Sequence, residues 1–158
     1  MAGTTIYQSA VAPDWIDYNG HLRDAYYVVV LSLATDALMD AVGLDEPYRK
    51  RTDCTLFSVE MHMHWKHEVK SSDTLIIDAH VLGADAKRIH VGYDVRTAVR
   101  AEPSATAEFM LLHVRQGKNP GVASFPPDVS TAIERMRDAS DGEMWAGPRS
   151  RALTLAKR

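Results

Sequence analysis

Apolar and polar residues alternate with a period of two through the middle of the chain, and this leaves little choice of fold. Phe57, Val59, Met61, Met63 and Trp65 alternate with Ser58, Glu60, His62, His64 and Lys66. Successive side chains of a strand point to opposite faces, so this run reads as a strand with one apolar face. In residues 75–82, Leu75, Ile77, Ala79 and Val81 alternate with Ile76, Asp78, His80 and Leu82. In residues 88–96, Ile89, Val91, Tyr93 and Val95 alternate with Arg88, His90, Gly92, Asp94 and Arg96. Residues 105–115, the last strand, set Phe109 and Leu111 against Met110, Leu112 and Val114. Turns at Ser71-Ser72-Asp73, at 83–87 and at 100–103 join these strands as hairpins. A weaker alternation over 4–11, ended by Pro13, reads as one more strand.

Residues 24–42 follow a different period. Tyr27, Val30, Leu31, Ala34, Leu38, Ala41 and Val42 have helical spacing, and Gly43 stands where a helix would stop. This helix is apolar on most sides, so it is expected to be buried and wrapped by the sheet. A helix segregated from antiparallel strands makes an α+β fold of two layers. Residues 45–53, with Arg49, Lys50 and Arg51, read as a polar loop, and 117–127 as a Gly- and Pro-rich loop. Thr131 and Glu134 have capping-box spacing, and Val129, Ile133 and Met136 form a stripe, so a short amphipathic helix follows. The domain spans residues 1–140. A polar tail, 141–158, is expected to be loose unless Trp145 docks it. Strands this long leave edges that invite a second copy, a dimer or a dimer of dimers.

Composition narrows the function. The 158 residues are 46% hydrophobic and 25% charged, as in an ordinary globular domain. A net charge of −3 gives no basic field for nucleic acid. No apolar run reaches the ~20 residues needed to cross a membrane, and residues 1–9 are too polar for a signal peptide. Cys54 is alone, which fits a reducing cytoplasm and no intrachain disulfide. With no His or Lys beside it, it reads as a buried filler.

Chemistry concentrates in Asp14-Trp15-Ile16-Asp17-Tyr18-Asn19-Gly20-His21, just before the helix. Gly20 lets backbone amides approach a ligand, and the helix start aims unpaired amides and the positive end of its dipole at the same place. A carboxylate there suits acyl transfer to water, with Asp17 as general base or nucleophile. The plainer alternative is a loop whose Asp and Asn satisfy turn amides. Glu60, His62 and His64 share a strand face, as metal ligands, as a pocket wall or as a merely polar surface. Trp15, Tyr18, Tyr26, Tyr27 and Trp65 are packing residues or, beside acids, a cage for a quaternary ammonium, with Trp15 and Tyr18 the first choice. Lys87 and Arg88, like Arg49, Lys50 and Arg51, are a solvated turn or a phosphate site.

These residues resemble the hotdog-fold acyl-CoA thioesterases. That family's loop reads Asp-x-x-Gly-His, then a Tyr in the first turns of the central helix, and Asp17, Gly20, His21 and Tyr27 fall on those positions. Pro13 through His21, Ala105-Thr106-Ala107-Glu108 and Leu111-Leu112-His113-Val114 are similar to the branch near the betainyl-CoA thioesterases of carnitine breakdown. The similarity runs to about Pro127. Where many relatives carry Asn-Asn two residues after the His, this chain has Arg23-Asp24. The resemblance implies a sheet wrapped around the central helix, a homo-oligomer with its site at the dimer interface, and an acyl-CoA substrate with no other cofactor and no metal. It implies that Asp17 attacks the thioester or activates a water, with Asn19, Gly20, His21 and Asp24 around it and amides near Arg23 and Asp24 holding the oxyanion. His21 orients Asp17 or the substrate, or is held for structure. The pocket would take in Trp15, Tyr18, Tyr27, Glu60, His62 and His64, with Glu60 close to the partner subunit's Asp17. Lys87 and Arg88 would hold the phosphates of CoA. A thiolate leaves readily, so one carboxylate and an oxyanion hole are enough in principle. Three rivals stand beside this. One is a metal-dependent enzyme using Glu60, His62 and His64. Another is a non-catalytic acyl-CoA-binding module. The third is a hotdog dehydratase, which would release no free thiol.

Overall fold

The computed structural model describes residues 3–140 and 145–147. One long helix, α1 (Asp24–Ala41), lies against an antiparallel sheet of β1 (Thr4–Ala10), β2 (Cys54–Trp65), β3 (Thr74–Ala84), β4 (Arg88–Thr97), β5 (Ala105–Arg115) and the short β6 (Gly121–Val122). The order is β1-β3-β4-β5-β2, and β6 pairs with the end of β5. The consecutive hairpins β3, β4 and β5 therefore form the centre, while β1 and β2 are the edges.

The helix is specified locally and held tertiarily. Its C-terminus is a Schellman motif: the Leu44 amide reaches the Met39 carbonyl (2.8 Å) and the Gly43 amide that of Asp40 (3.3 Å). Val30, Leu31, Ala34 and Leu38 are fully buried against Ile77, Ala79, Val91 and Tyr93 of the sheet. A polar contact crosses this layer between Thr35 Oγ1 and the Tyr93 hydroxyl (3.1 Å), and the Thr35 hydroxyl also returns to the Leu31 carbonyl. Burial raises the Tyr93 phenol far above its usual pKa, so it stays neutral. Val29 and Leu33 stay exposed, so the sheet covers only one side of the helix.

Several expectations need correction. Residues 45–53 contain a helix, α2 (Glu46–Thr52), not a loop. Asp45 caps it by accepting from the Tyr48 amide (2.9 Å), and Tyr48 alone is buried, which leaves no apolar period to read. The strand β2 is not one apolar ribbon. Ser58 lies opposite Leu111 and Glu60 opposite Met110, so Val59 is an extra residue in a bulge. The bulge turns Met61, Met63 and Trp65 toward the helix side and leaves Phe57 with Glu60, His62 and His64 on the outer face. Residues 105–115 are not the last strand, because β6 adds to β5. The C-terminal helix α3 (Pro127–Ser140) begins ahead of Thr131, whose hydroxyl turns back to the Pro127 carbonyl (2.9 Å) instead of capping. The stripe itself holds, with Val129 and Ile133 buried.

The outer face of the sheet is also closed over its middle. Trp145 is buried there, packed on Gly92, with its indole N–H donating to Asp94 Oδ1 (2.9 Å). Apart from residues 145–147, the expected loose tail lies outside the described residues.

Candidate active site

The loop before α1 is built by its own backbone. A single turn of 3-10 helix over Pro13–Trp15 ends the run from β1, and the Asp17 and His21 main chains then close on each other (Asp17 N–H to His21 C=O, 2.8 Å). Gly20 makes the reversal with φ +80, where a side chain would be strained. Two long-range contacts carry the loop to the sheet: the Leu22 amide donates to the Val69 carbonyl (2.7 Å), and His21 bridges to Lys70. The segment 66–70 is thereby drawn across the start of α1.

Asp17 is held by this loop. Its Oδ1 accepts the amides of Asn19 (2.8 Å) and His21 (3.1 Å), and no described group binds Oδ2. The His21 amide, foremost, keeps the carboxyl below its usual pKa, so Asp17 is anionic at neutral pH. The first turn of α1 lies beside it. The Arg23 amide is spent on the Trp15 carbonyl (3.0 Å), the Ala25 amide on Asp24 Oδ1 (2.8 Å), and the Tyr26 amide on the Arg23 carbonyl (3.0 Å). No acceptor is found for the Asp24 amide among the described residues.

These groups face one open cavity of about 530 Å³. Asp17, Tyr18, His21, Asp24 and Tyr27 line it from the loop and helix, and Trp65, Lys66, His67 and Glu68 close it from the end of β2. Tyr27 is buried, and desolvation with the nearby Glu68 charge pushes its phenol up to about 12. Its hydroxyl therefore stays protonated at neutral pH.

The site residues expected from the sequence divide. Asp17, Tyr18, His21, Asp24 and Tyr27 come together, with Asn19 and Gly20 in the same loop. Trp15 does not line the cavity; it stacks on Tyr26 (5.5 Å between centroids) and backs the loop. Glu60, His62 and His64 lie opposite Met110, Glu108 and Thr106, on the sheet face away from α1 and from this cavity. The two imidazoles meet edge-on, and no three metal-ligating side chains converge among the described residues. Lys87 and Arg88 sit in the β3–β4 hairpin, at the end of β3 remote from His21 and Lys70. The Arg88 guanidinium grips Asp85 Oδ2 (2.9 and 2.6 Å), and Asp85 Oδ1 takes the Lys87 and Arg88 amides, so Arg88 shapes its own turn. Sequence reasoning missed Lys66, His67 and Glu68 as a wall of the cavity. The one signal for them was the break in alternation after Trp65.

Comparison with known proteins places this arrangement. The pattern of the thioesterase-like superfamily matches residues 11–133. The betainyl-CoA thioesterase of Pseudomonas aeruginosa is 40% identical over 135 residues, 85% of this chain and 84% of that protein. The L-carnitine dehydrogenase/betainyl-CoA thioesterase of Agrobacterium fabrum is 35% identical over 95% of this chain, which spans only 31% of that longer protein. Among solved structures, a thioesterase assigned as such in Pseudomonas putida superposes over 100% of this chain and 99% of its own, with TM-score 0.78 and 33% identity. A Staphylococcus aureus protein solved in complex with CoA shares the fold over 100% of this chain and 98% of its own (TM-score 0.81, 22% identity). A family match across most of the chain, joined to a 40% identical relative of similar length, means that this chain belongs to the thioesterase-like superfamily, as a hotdog-fold thioesterase.

Proposed function

We propose that the chain hydrolyses a short cationic acyl-CoA thioester, with betainyl-CoA the best case, and that Asp17 carries the reaction. The observation that supports this most is the state of Asp17: one oxygen is pinned by two loop amides, and the other is unpaired in a cavity that the start of α1 closes. A pinned, anionic carboxylate is oriented before substrate arrives. Its Oδ2 either attacks the thioester carbonyl, expelling the CoA thiolate and leaving an acyl-aspartyl anhydride that water then cleaves to the free acid, or deprotonates a water that attacks the carbonyl and expels the thiolate. The Asp24 amide and the helix dipole stabilise the oxyanion. The charged acyl group is taken from the P. aeruginosa and A. fabrum relatives, both named for betainyl-CoA.

A second copy completes the assembly in this proposal. The edge strand β2 exposes Phe57, Val59 and Met61, and α1 exposes Val29 and Leu33, an apolar surface large for a monomer. Exposed Arg23 and Lys66 at the cavity are the nearest cations for the CoA phosphates. Lys87 takes that part only where the cofactor tail crosses to the hairpin of another subunit.

The test is release of free thiol from a panel of acyl-CoAs, betainyl-CoA included, by wild type and by Asp17→Asn, with the oligomeric state followed by light scattering. Thiol release from betainyl-CoA that collapses in the variant is the expected result. No release from any acyl-CoA, or equal release from both proteins, overturns it.

A further inference from the structure

We infer that Glu68, with the indole of Trp65, seats the positive charge of the acyl group and so sets the acyl specificity of the site. This rests on the betainyl reading above. In a trimethylammonioacetyl thioester a single methylene separates the cation from the carbonyl carbon. The seat must therefore be made by residues that share a cavity with Asp17. A quaternary ammonium donates no hydrogen bond. It is held by anionic charge and by aromatic faces.

Glu68 and Trp65 answer this description. Both line the Asp17 cavity, on the segment that the Leu22–Val69 and His21–Lys70 contacts bring alongside the loop. Glu68 is exposed and enters no salt bridge among the described residues. Its own amide, foremost, and the nearby His21 hold its carboxyl below the ordinary value, so the charge is present at neutral pH. Trp65 is 53% exposed, a large ring left open at the end of the edge strand β2. The other carboxylates have duties elsewhere: Asp24 caps the Ala25 amide, and Asp17 is bound to its loop and faces the carbonyl. Of the pair expected to cage such a cation, Trp15 is stacked on Tyr26 and does not line the cavity, while Tyr18 lines it from the Asp17 loop.

The test compares kcat/KM for betainyl-CoA with that for tert-butylacetyl-CoA, a neutral isostere with carbon in place of nitrogen. Wild type is expected to prefer the cation by about 10-fold or more. Glu68→Gln should lose about 10-fold on the cationic substrate and change less than about 2-fold on the neutral one. Glu68→Asp should keep part of the preference, and Trp65→Leu should reduce it. Equal losses on both substrates, or no loss on either, overturn the role of Glu68. A wild type that prefers the cation beside a Glu68→Gln variant with the same preference defeats this inference alone. A wild type that does not hydrolyse betainyl-CoA defeats the substrate reading and this inference together.

Discussion

Carboxylates and histidines gather at two places in this molecule, and the two differ in whether their charges are answered. On the outer face of the sheet, His80 Nε2 meets Asp94 Oδ2 (3.1 Å) and His90 Nε2 meets Glu108 Oε1 (2.6 Å), with Trp145 closing over Gly92. Glu108 is 0% exposed. In the cavity before α1, Asp17, Asp24 and Glu68 form no salt bridge with His21, Arg23 or Lys66, although His67 of the same wall pairs with the exposed Glu102 (3.4 Å). Buried polar groups must be paired or they cost stability, and once paired they have little left for a ligand. Open, unpaired groups cost little to keep and remain available. The same residue types therefore serve the fold in one place and a substrate in the other.

Substitutions should separate the two regions. Asp17→Asn keeps an oxygen for the Asn19 and His21 amides, so the loop survives. It is expected to lower kcat by about 10³-fold while the urea midpoint stays in place. A fall of less than about 10-fold would remove the contrast. Glu108→Ala should do the reverse. It strands His90 in a buried site and should cost about 3 kcal/mol in urea unfolding, with kcat of the folded enzyme retained. A stable but inactive Glu108→Ala would join the two regions functionally and break the comparison.

Trp145 gives a smaller and more local effect. Trp145→Ala removes the Asp94 hydrogen bond and the cover over Gly92, and should cost about 2 kcal/mol. Gly92→Ala leaves Trp145 intact but puts a Cβ within 2.8 Å of the indole, so it should cost less, about 1 kcal/mol, by displacing the ring. Thermal unfolding of both variants checks the ranking. A Gly92→Ala variant as stable as wild type would mean that the indole packs loosely.

The sequence was most informative where a pattern is local. Period-two alternation located β2, β3, β4 and β5, helical spacing located α1, and Gly43 marked its end. The bulge at Val59 escaped because one extra residue leaves the alternation on either side intact and shifts only its phase. The helix α2 escaped because a single buried side chain, Tyr48, makes no period. At the cavity, the Asp17 loop was legible as a motif. Glu68 was not, because nothing near it in sequence says that the Leu22–Val69 and His21–Lys70 contacts will carry it to Asp17. Nor did the strand face of Glu60, His62 and His64 reveal that it turns away from that cavity.

The smallest expected effect lies in a third histidine, and it sharpens the rule of answered charge. His113 is buried, with Nδ1 2.9 Å from the Ala123 carbonyl and Nε2 3.0 Å from the Tyr48 hydroxyl. A carbonyl only accepts, so Nδ1 carries the proton and Nε2 accepts from Tyr48, which makes the neutral ring the one that fits. Burial accordingly lowers the His113 pKa, and the Ala123 carbonyl only partly opposes it. The unfolded chain then binds more protons than the native one between the lowered value and the ordinary 6.5. This contribution to stability is complete above pH 6.5 and is lost as the pH falls through that window. Urea unfolding at a series of pH values should show a steeper acid loss in wild type than in His113→Gln, while the pH dependence of kcat is the same in both. Equal stability slopes would mean that His113 is solvated like the open cavity groups, and that burial alone does not sort the two kinds of site.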